Sequence, residues 1–159
     1  MADIKWEAPT VALTEYLKAT LNALSQNVID VGANIYNETN LCTFMDLELK
    51  LGEIDWSTAV NPSATIYLFE SVDGGTTWDT NEDGVSVAAD IPPADKIIAI
   101  MGWRPDTAAK TNHIVKSMIP IPPGQFKIGI RNTAGVAVAF AASATTNVLS
   151  YRTYNIASV

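Results

Sequence analysis

The side chains able to do chemistry are few in this sequence and poorly spaced for it. There is one histidine, His113, and one cysteine, Cys42, 71 residues earlier. A zinc centre needs about four N, S or O ligands, and nothing clusters at ligand spacing. No G-x-S-x-G elbow offers His113 a serine nucleophile, so this histidine is expected at a loop edge or an interface. Glu70 with Asp73 and Glu53 with Asp55 are the nearest approach to a glycosidase acid and nucleophile, but solvated turn acids have the same pattern. In DTNEDG, Asp79, Asn81 and Asp83 alternate like the first ligands of a calcium loop. The final position of that loop would be Asp90 where a bidentate glutamate is wanted, so a solvated loop is expected. No P-loop or Rossmann glycine pattern is present. The residues therefore point to no catalytic centre, no metal and no cofactor.

One octapeptide stands out, SVDGGTTW from Ser71 to Trp78, which fits the S-x-D-x-G-x-T-W pattern of an Asp-box. Gly74 and Gly75 permit positive φ, and Asp73 can accept N–H bonds from the turn. The Ser71 and Thr77 hydroxyls can close the ends, and Trp78 can fold over them. All six residues have a part in shaping a tight β-hairpin turn, and none has to touch a substrate. Trp6, Trp56, Trp78 and Trp103 all fall near the ends of elements. Such indoles stack on a sugar in carbohydrate-binding modules, but they also cap a sandwich or anchor an interface, which is the favoured role here.

Those residues need a scaffold, and the composition says which kind. Of 159 residues 48% are apolar and only 17% charged, enough for one continuous core and low in charge for a fully wetted surface. Residues 1–106 carry all 17 acids and five bases, a net −12, whereas residues 107–159 carry five bases and no acid. Either the halves form faces of opposite sign, or their strands interleave and the asymmetry disappears; the second is favoured. The net charge of −7 without a basic cluster argues against nucleic acid. MADIKWEAPT has no apolar h-region and no stretch approaches the ~20 apolar residues of a membrane span, so a soluble product of a reducing compartment is expected, with Cys42 a structural thiol.

Leu13, Tyr16, Leu17, Leu21 and Leu24 follow helical spacing, though the capping box is incomplete, and an extended arm is equally compatible. Residues 1–24 are therefore set apart as an N-terminal arm or short helix, and residues 25–159 as one β-sandwich domain. NVIDVGANIY is expected as a strand. LCTFMDLELKL alternates most clearly, with Leu41, Thr43, Met45, Leu47, Leu49 and Leu51 on one face. ATIYLFES is the next strand. KIIAIMGW reads as a strand covered on both faces, and HIVKSMI, QFKIGIR, VAVAFAA and NVLSYRTYNI follow. With no helix in mid-chain and no repeat, the fold class is all-β, a two-layer antiparallel β-sandwich with a jelly roll as the favoured topology.

IPIPPGQFKIGIRN at 119–132 and YRTYN at 151–155, together with LTEYLKATLNALSQNVIDVGANIYNETNL and FMDLELKL, resemble small virion proteins of tailed bacteriophages, the jelly-roll capsid decoration or cement proteins. The resemblance runs from about Leu13 to Ile156. It implies a non-enzymatic protein on the outer capsid surface, made in the host cytoplasm, that bridges subunits of the major capsid protein as a homodimer or homotrimer. Neither nucleic acid nor membrane is an implied partner. Ile4, Trp6 and Val11 are then expected to pack on a neighbour, and Lys127, Arg131 and Arg152 to meet an acidic surface. A phage tail or baseplate component and a carbohydrate-binding sandwich are the alternative readings.

Overall fold

The computed structural model describes residues 4–6, 12–79, 91–105, 110–134, 139–141 and 147–158. Their strands are β1 (Ile4–Trp6), β2 (Thr14–Leu17), β3 (Ile29–Val31), β4 (Ile35–Asn37), β5 (Phe44–Ile54), β6 (Ser63–Ser71), β7 (Ile97–Gly102), β8 (Lys110–Pro120), β9 (Gly124–Asn132), β10 (Val148–Tyr154) and β11 (Ile156–Ser158). Two antiparallel sheets pack against each other, giving an all-β, sandwich-like domain. One sheet has the order β2-β10-β5-β8; in the other, β9 pairs with β3 and β4 on one side and with β6 on the other, and β7 follows β6. β1 and β11 form a separate two-stranded ribbon with Trp6 opposite Ile156.

Alternation creates the core. On β5, Met45, Leu47, Leu49 and Leu51 all point inward and are buried. They meet Ile66 and Leu68 of β6 and Phe126, Ile128 and Ile130 of β9, each also buried. Burying a side chain of this size stabilises the fold by about 1.5–3 kcal/mol, which is why the period-two pattern decides the register. Leu41 and Thr43, expected on the same face, precede the strand, and Leu41 is exposed with φ +45°.

Several expectations are corrected. Residues 14–17 are extended, paired to β10, and followed by a 3-10 turn at Ala19–Leu21 with no side-chain cap. Leu17, Leu21 and Leu24 are buried as an apolar stripe would be, but ladder bonds to β10 take the place of helical ones. NVIDVGANIY divides into β3 and β4, two short strands on one side of β9. Among the described residues β7 pairs with β6 alone, and Ile100 is 56% exposed, so only one of its faces is covered. Of VAVAFAA, residues 139–141 are not strand and the rest lie outside the described residues, except that Phe140 is buried at the end of the core.

Candidate functional site

The octapeptide folds around one carboxylate. Asp73 Oδ1 accepts from the Ser71 hydroxyl at 2.8 Å and from the backbone N–H of Thr76 at 3.0 Å. The Thr77 N–H and hydroxyl reach Asp73 Oδ2 at 3.1 and 2.7 Å, and the Ser71 hydroxyl accepts the Gly75 N–H at 2.8 Å. Gly74 and Gly75 have φ of +69° and +86°, the left-handed region that a side chain would strain. The bonds from Thr77, Ser71 and Thr76 together hold the Asp73 carboxyl down at about 2. Such a group is ionised at neutral pH and cannot donate a proton there, so Asp73 is no general acid. Among the described residues β6 ends at Ser71 and its partner β7 begins at Ile97. The turn itself is closed by donors that converge on Asp73.

Trp78 follows the turn half-buried, with the Lys127 ammonium 4.2 Å from its ring centroid. Lys127 is only 4% exposed, so this cation is held inside its own chain and not presented as a surface charge. Trp56 and Trp103 are not at the surface edge of a binding site either. Their rings meet at 5.0 Å, and Phe140 joins them at 6.5 and 6.3 Å, an edge-on aromatic plug that closes one end of the core. Trp78 borders a depression lined by Glu70, Val72, Thr77 and Asp79. Asp79 is ion-paired to Lys96, and the other residues of the calcium-like run lie outside the described residues.

The outer face of the four-stranded sheet carries a group of ionisable side chains in rows set by the register. Asp46 stands opposite Arg152, and Lys50 opposite His113. Asp46 Oδ2 accepts from Arg152 Nε and Nη2 at 2.9 and 2.8 Å; Oδ1 accepts from the Tyr154 hydroxyl at 3.0 Å and the Met118 N–H at 3.2 Å. One carboxylate thus ties β5 to both of its neighbours. Burial works against its charge, but the Arg152, Met118 and Tyr154 bonds outweigh that and hold its carboxyl below the usual range. Glu48 is held low in the same way, burial being overcome by Lys50 at 3.0 Å and His113 at 2.6 Å. An ionised Glu48 only accepts, so His113 Nε2 must carry the hydrogen in this contact. Beside His113 a groove opens between Glu15, Lys50, Leu51, Thr111, Asn112 and Val148.

The outer face of the other sheet is built differently. Tyr67 and Phe69 stack there with centroids 6.3 Å apart, and they are 2% and 0% exposed alongside Ile29 and Val31. Gly129 makes room for them: a Cβ at that position would lie 2.9 Å from Phe69 Cε2 and 3.1 Å from Ile29 Cδ1. At the margin of the sheets, the Tyr16 hydroxyl donates to Ala33 O at 2.6 Å and accepts the Ile128 N–H at 3.0 Å, stitching β2 to β9. Asp30 lies close by with a buried Oδ2 that has no hydrogen-bond partner, and burial pushes its carboxyl up.

The geometry accounts for each sequence-picked residue that the structure describes. Ser71, Asp73, Gly74, Gly75 and Thr77 come together; Trp78 turns away to Lys127. Arg131 donates to Asn27 Oδ1 at 2.9 Å, and Arg152 is ion-paired with Asp46. β8 and β10 flank β5, and β9 flanks β6, so the basic C-terminal strands interleave with the acidic half. Ile4 and Trp6 lie on β1 by backbone pairing only, and Val11 lies outside the described residues. The Asp46–Arg152 and Glu48–His113 pairs were invisible by spacing, since each joins residues more than 60 apart, 106 and 65. Their only sequence trace was that Asp46, Glu48 and Lys50 alternate. Among the described residues, no group of three or more His, Cys, Asp or Glu is placed to hold a metal ion. No family model matches the chain, and no curated protein matches it either.

Proposed function

We propose that this protein is a non-enzymatic virion subunit that decorates and stabilises a bacteriophage capsid by bridging its major capsid subunits. The observation that supports this most is how the polar side chains are used. Asp46, Glu48, Asp73, Arg131 and Arg152 each bond to another group of the same chain, which makes a stiff body with its reactive potential consumed. A cement subunit requires this rigidity, because it adds binding free energy to the assembled shell alone. The resemblance of IPIPPGQFKIGIRN and YRTYN to phage decoration proteins supplies the class of partner.

The finer topology belongs to the same proposal. From β2 onward the chain alternates between the two sheets, apart from the β3–β4 and β6–β7 steps, giving orders β2-β10-β5-β8 and β3/β4-β9-β6-β7. This order supports a jelly roll, which is the topology we propose here. Against the carbohydrate-binding alternative stand the packing of Trp56 with Trp103 and Phe140 and the Lys127 ammonium over the Trp78 ring.

Cryo-electron microscopy of the parent virion, with mass spectrometry for copy number, tests the function. Many symmetric copies over the head are expected. A few copies confined to the tail move the protein to a tail or baseplate role, and absence from purified virions overturns both.

A further inference from the structure

We propose that Asp73–Gly74 is a latent site of spontaneous backbone isomerisation, and that the folded Asp-box turn withholds its carboxyl from that reaction. The inference goes beyond the virion reading above and does not depend on it. An aspartate followed by glycine is the pair in which a backbone nitrogen most readily attacks the side chain before it, because glycine has no Cβ to obstruct the approach. The sequence contains two such pairs, Asp73–Gly74 and Asp83–Gly84, and the second lies outside the described residues.

When Gly74 N attacks Asp73 Cγ, a C–N bond forms, and the N–H proton and the carboxyl hydroxyl leave as water. The product is a five-membered succinimide. Water then opens the ring at either carbonyl. Opening at Cγ restores aspartate. Opening at the backbone carbonyl leaves the chain running through Cβ and Cγ, an isoaspartate with one extra carbon in the backbone path. The carboxylate is then carried on Cα, displaced from the point where the Ser71, Thr76 and Thr77 donors converge.

Packing leaves the site open to this chemistry. Asp73 and Gly74 are both exposed to water, and nothing lies within 4 Å of where a Gly74 Cβ would stand. What opposes the reaction is the bonding of the carboxylate itself. Oδ1 accepts from the Ser71 hydroxyl and the Thr76 and Thr77 N–H groups, and Oδ2 from the Thr77 N–H and hydroxyl. Ring closure removes one of these two oxygens, so the bond set cannot persist through it. The same bonds hold the carboxyl at about 2, against ~4 in an unfolded chain, so the protonated form that can release water is roughly a hundredfold scarcer at neutral pH.

The test is ageing of the full chain at neutral pH, followed with an endoproteinase that cuts before aspartate and not before isoaspartate, and mass spectrometry of the fragments. The folded native chain, the same chain unfolded in urea, and the Thr77→Val and Thr77→Ser variants are aged side by side. Circular dichroism checks that each variant keeps the fold, and Asp83–Gly84 calibrates the unfolded sample. We expect Asp73 to isomerise at least about tenfold faster in the unfolded chain than in the folded one. Folded Thr77→Val should age at least about threefold faster than native, and Thr77→Ser, which keeps the hydroxyl, at the native rate. Equal rates in the folded and unfolded native chain overturn the inference. So does an Asp73 that stays intact in the unfolded chain while Asp83 converts, or a folded Thr77→Val that ages no faster than native. A Thr77→Ser chain that ages like Thr77→Val overturns the part given to the hydroxyl. Should Thr77→Val not fold, Ser71→Ala takes its place with the same expected result, and the native comparison still decides.

Discussion

The two sheets turn opposite kinds of surface outward. On the four-stranded sheet the outer rows are Asp46–Arg152 and Glu48–His113–Lys50, charges that satisfy one another and remain in reach of water. On the other sheet the outward residues are Tyr67, Phe69, Ile29 and Val31, all removed from solvent, with Lys127 buried beside them. An antiparallel sheet ordinarily has one dry face and one wet face. Here one sheet obeys that rule, and the other is covered on its outer face around Ile29, Val31, Tyr67 and Phe69, though not at β7, where Ile100 is exposed. Stability is therefore concentrated around β6 and β9, while the sheet carrying β2 and β8 keeps a polar face.

The comparison can be broken most forcefully at Phe69. Phe69→Ala removes a fully buried ring from the second apolar cluster and is expected to cost about 3–5 kcal/mol in urea unfolding. A cost below about 1 kcal/mol, a surface-like value, would mean that this face is not a second core.

On the charged face, Asp46→Ala leaves Arg152, Tyr154 and the Met118 N–H without their shared acceptor, and about 2 kcal/mol of loss is expected. Because the folded state holds the Asp46 carboxyl below its ordinary range, that contribution is complete above the unfolded value near ~4 and is lost as pH falls through the folded one. Native and variant stabilities should then converge in acid. A difference that persists unchanged at pH ~2 would assign the loss to packing instead.

The smallest effect has the opposite sign. Burial raises the Asp30 carboxyl, so its ionised form penalises folding at neutral pH, and the penalty vanishes as pH falls below the unfolded value. Asp30→Asn keeps an acceptor oxygen and removes the buried charge. A gain in urea-unfolding stability at pH 7 that fades in acid is expected. A loss at neutral pH would show that the bonds from Thr20 and Val31 to the carboxylate outweigh the burial of its charge.

How much of this was legible depends on the range of the interaction. The β5 alternation is local, and it placed Met45, Leu47, Leu49 and Leu51 on one face correctly. The Asp73 turn is also local, and its ligands lie within four residues. Edge or centre is a different matter: KIIAIMGW is apolar throughout, but its place beside β6 alone is decided by pairing far along the chain. The spacing of Leu17, Leu21 and Leu24 marked buried residues but left helix and extended arm open, and it is pairing with β10 that makes residues 14–17 extended. The Asp46–Arg152 pair needs the β5–β10 register, which no local pattern contains.

The central claim is that this body strengthens an assembled shell. It is tested most directly by heating purified heads of the parent phage with and without the protein bound, while measuring its binding to free major capsid subunits. Binding confined to assembled heads, with disassembly moved to higher temperature, is the predicted result. Equal disassembly temperatures, or equally tight binding to free subunits, would contradict it.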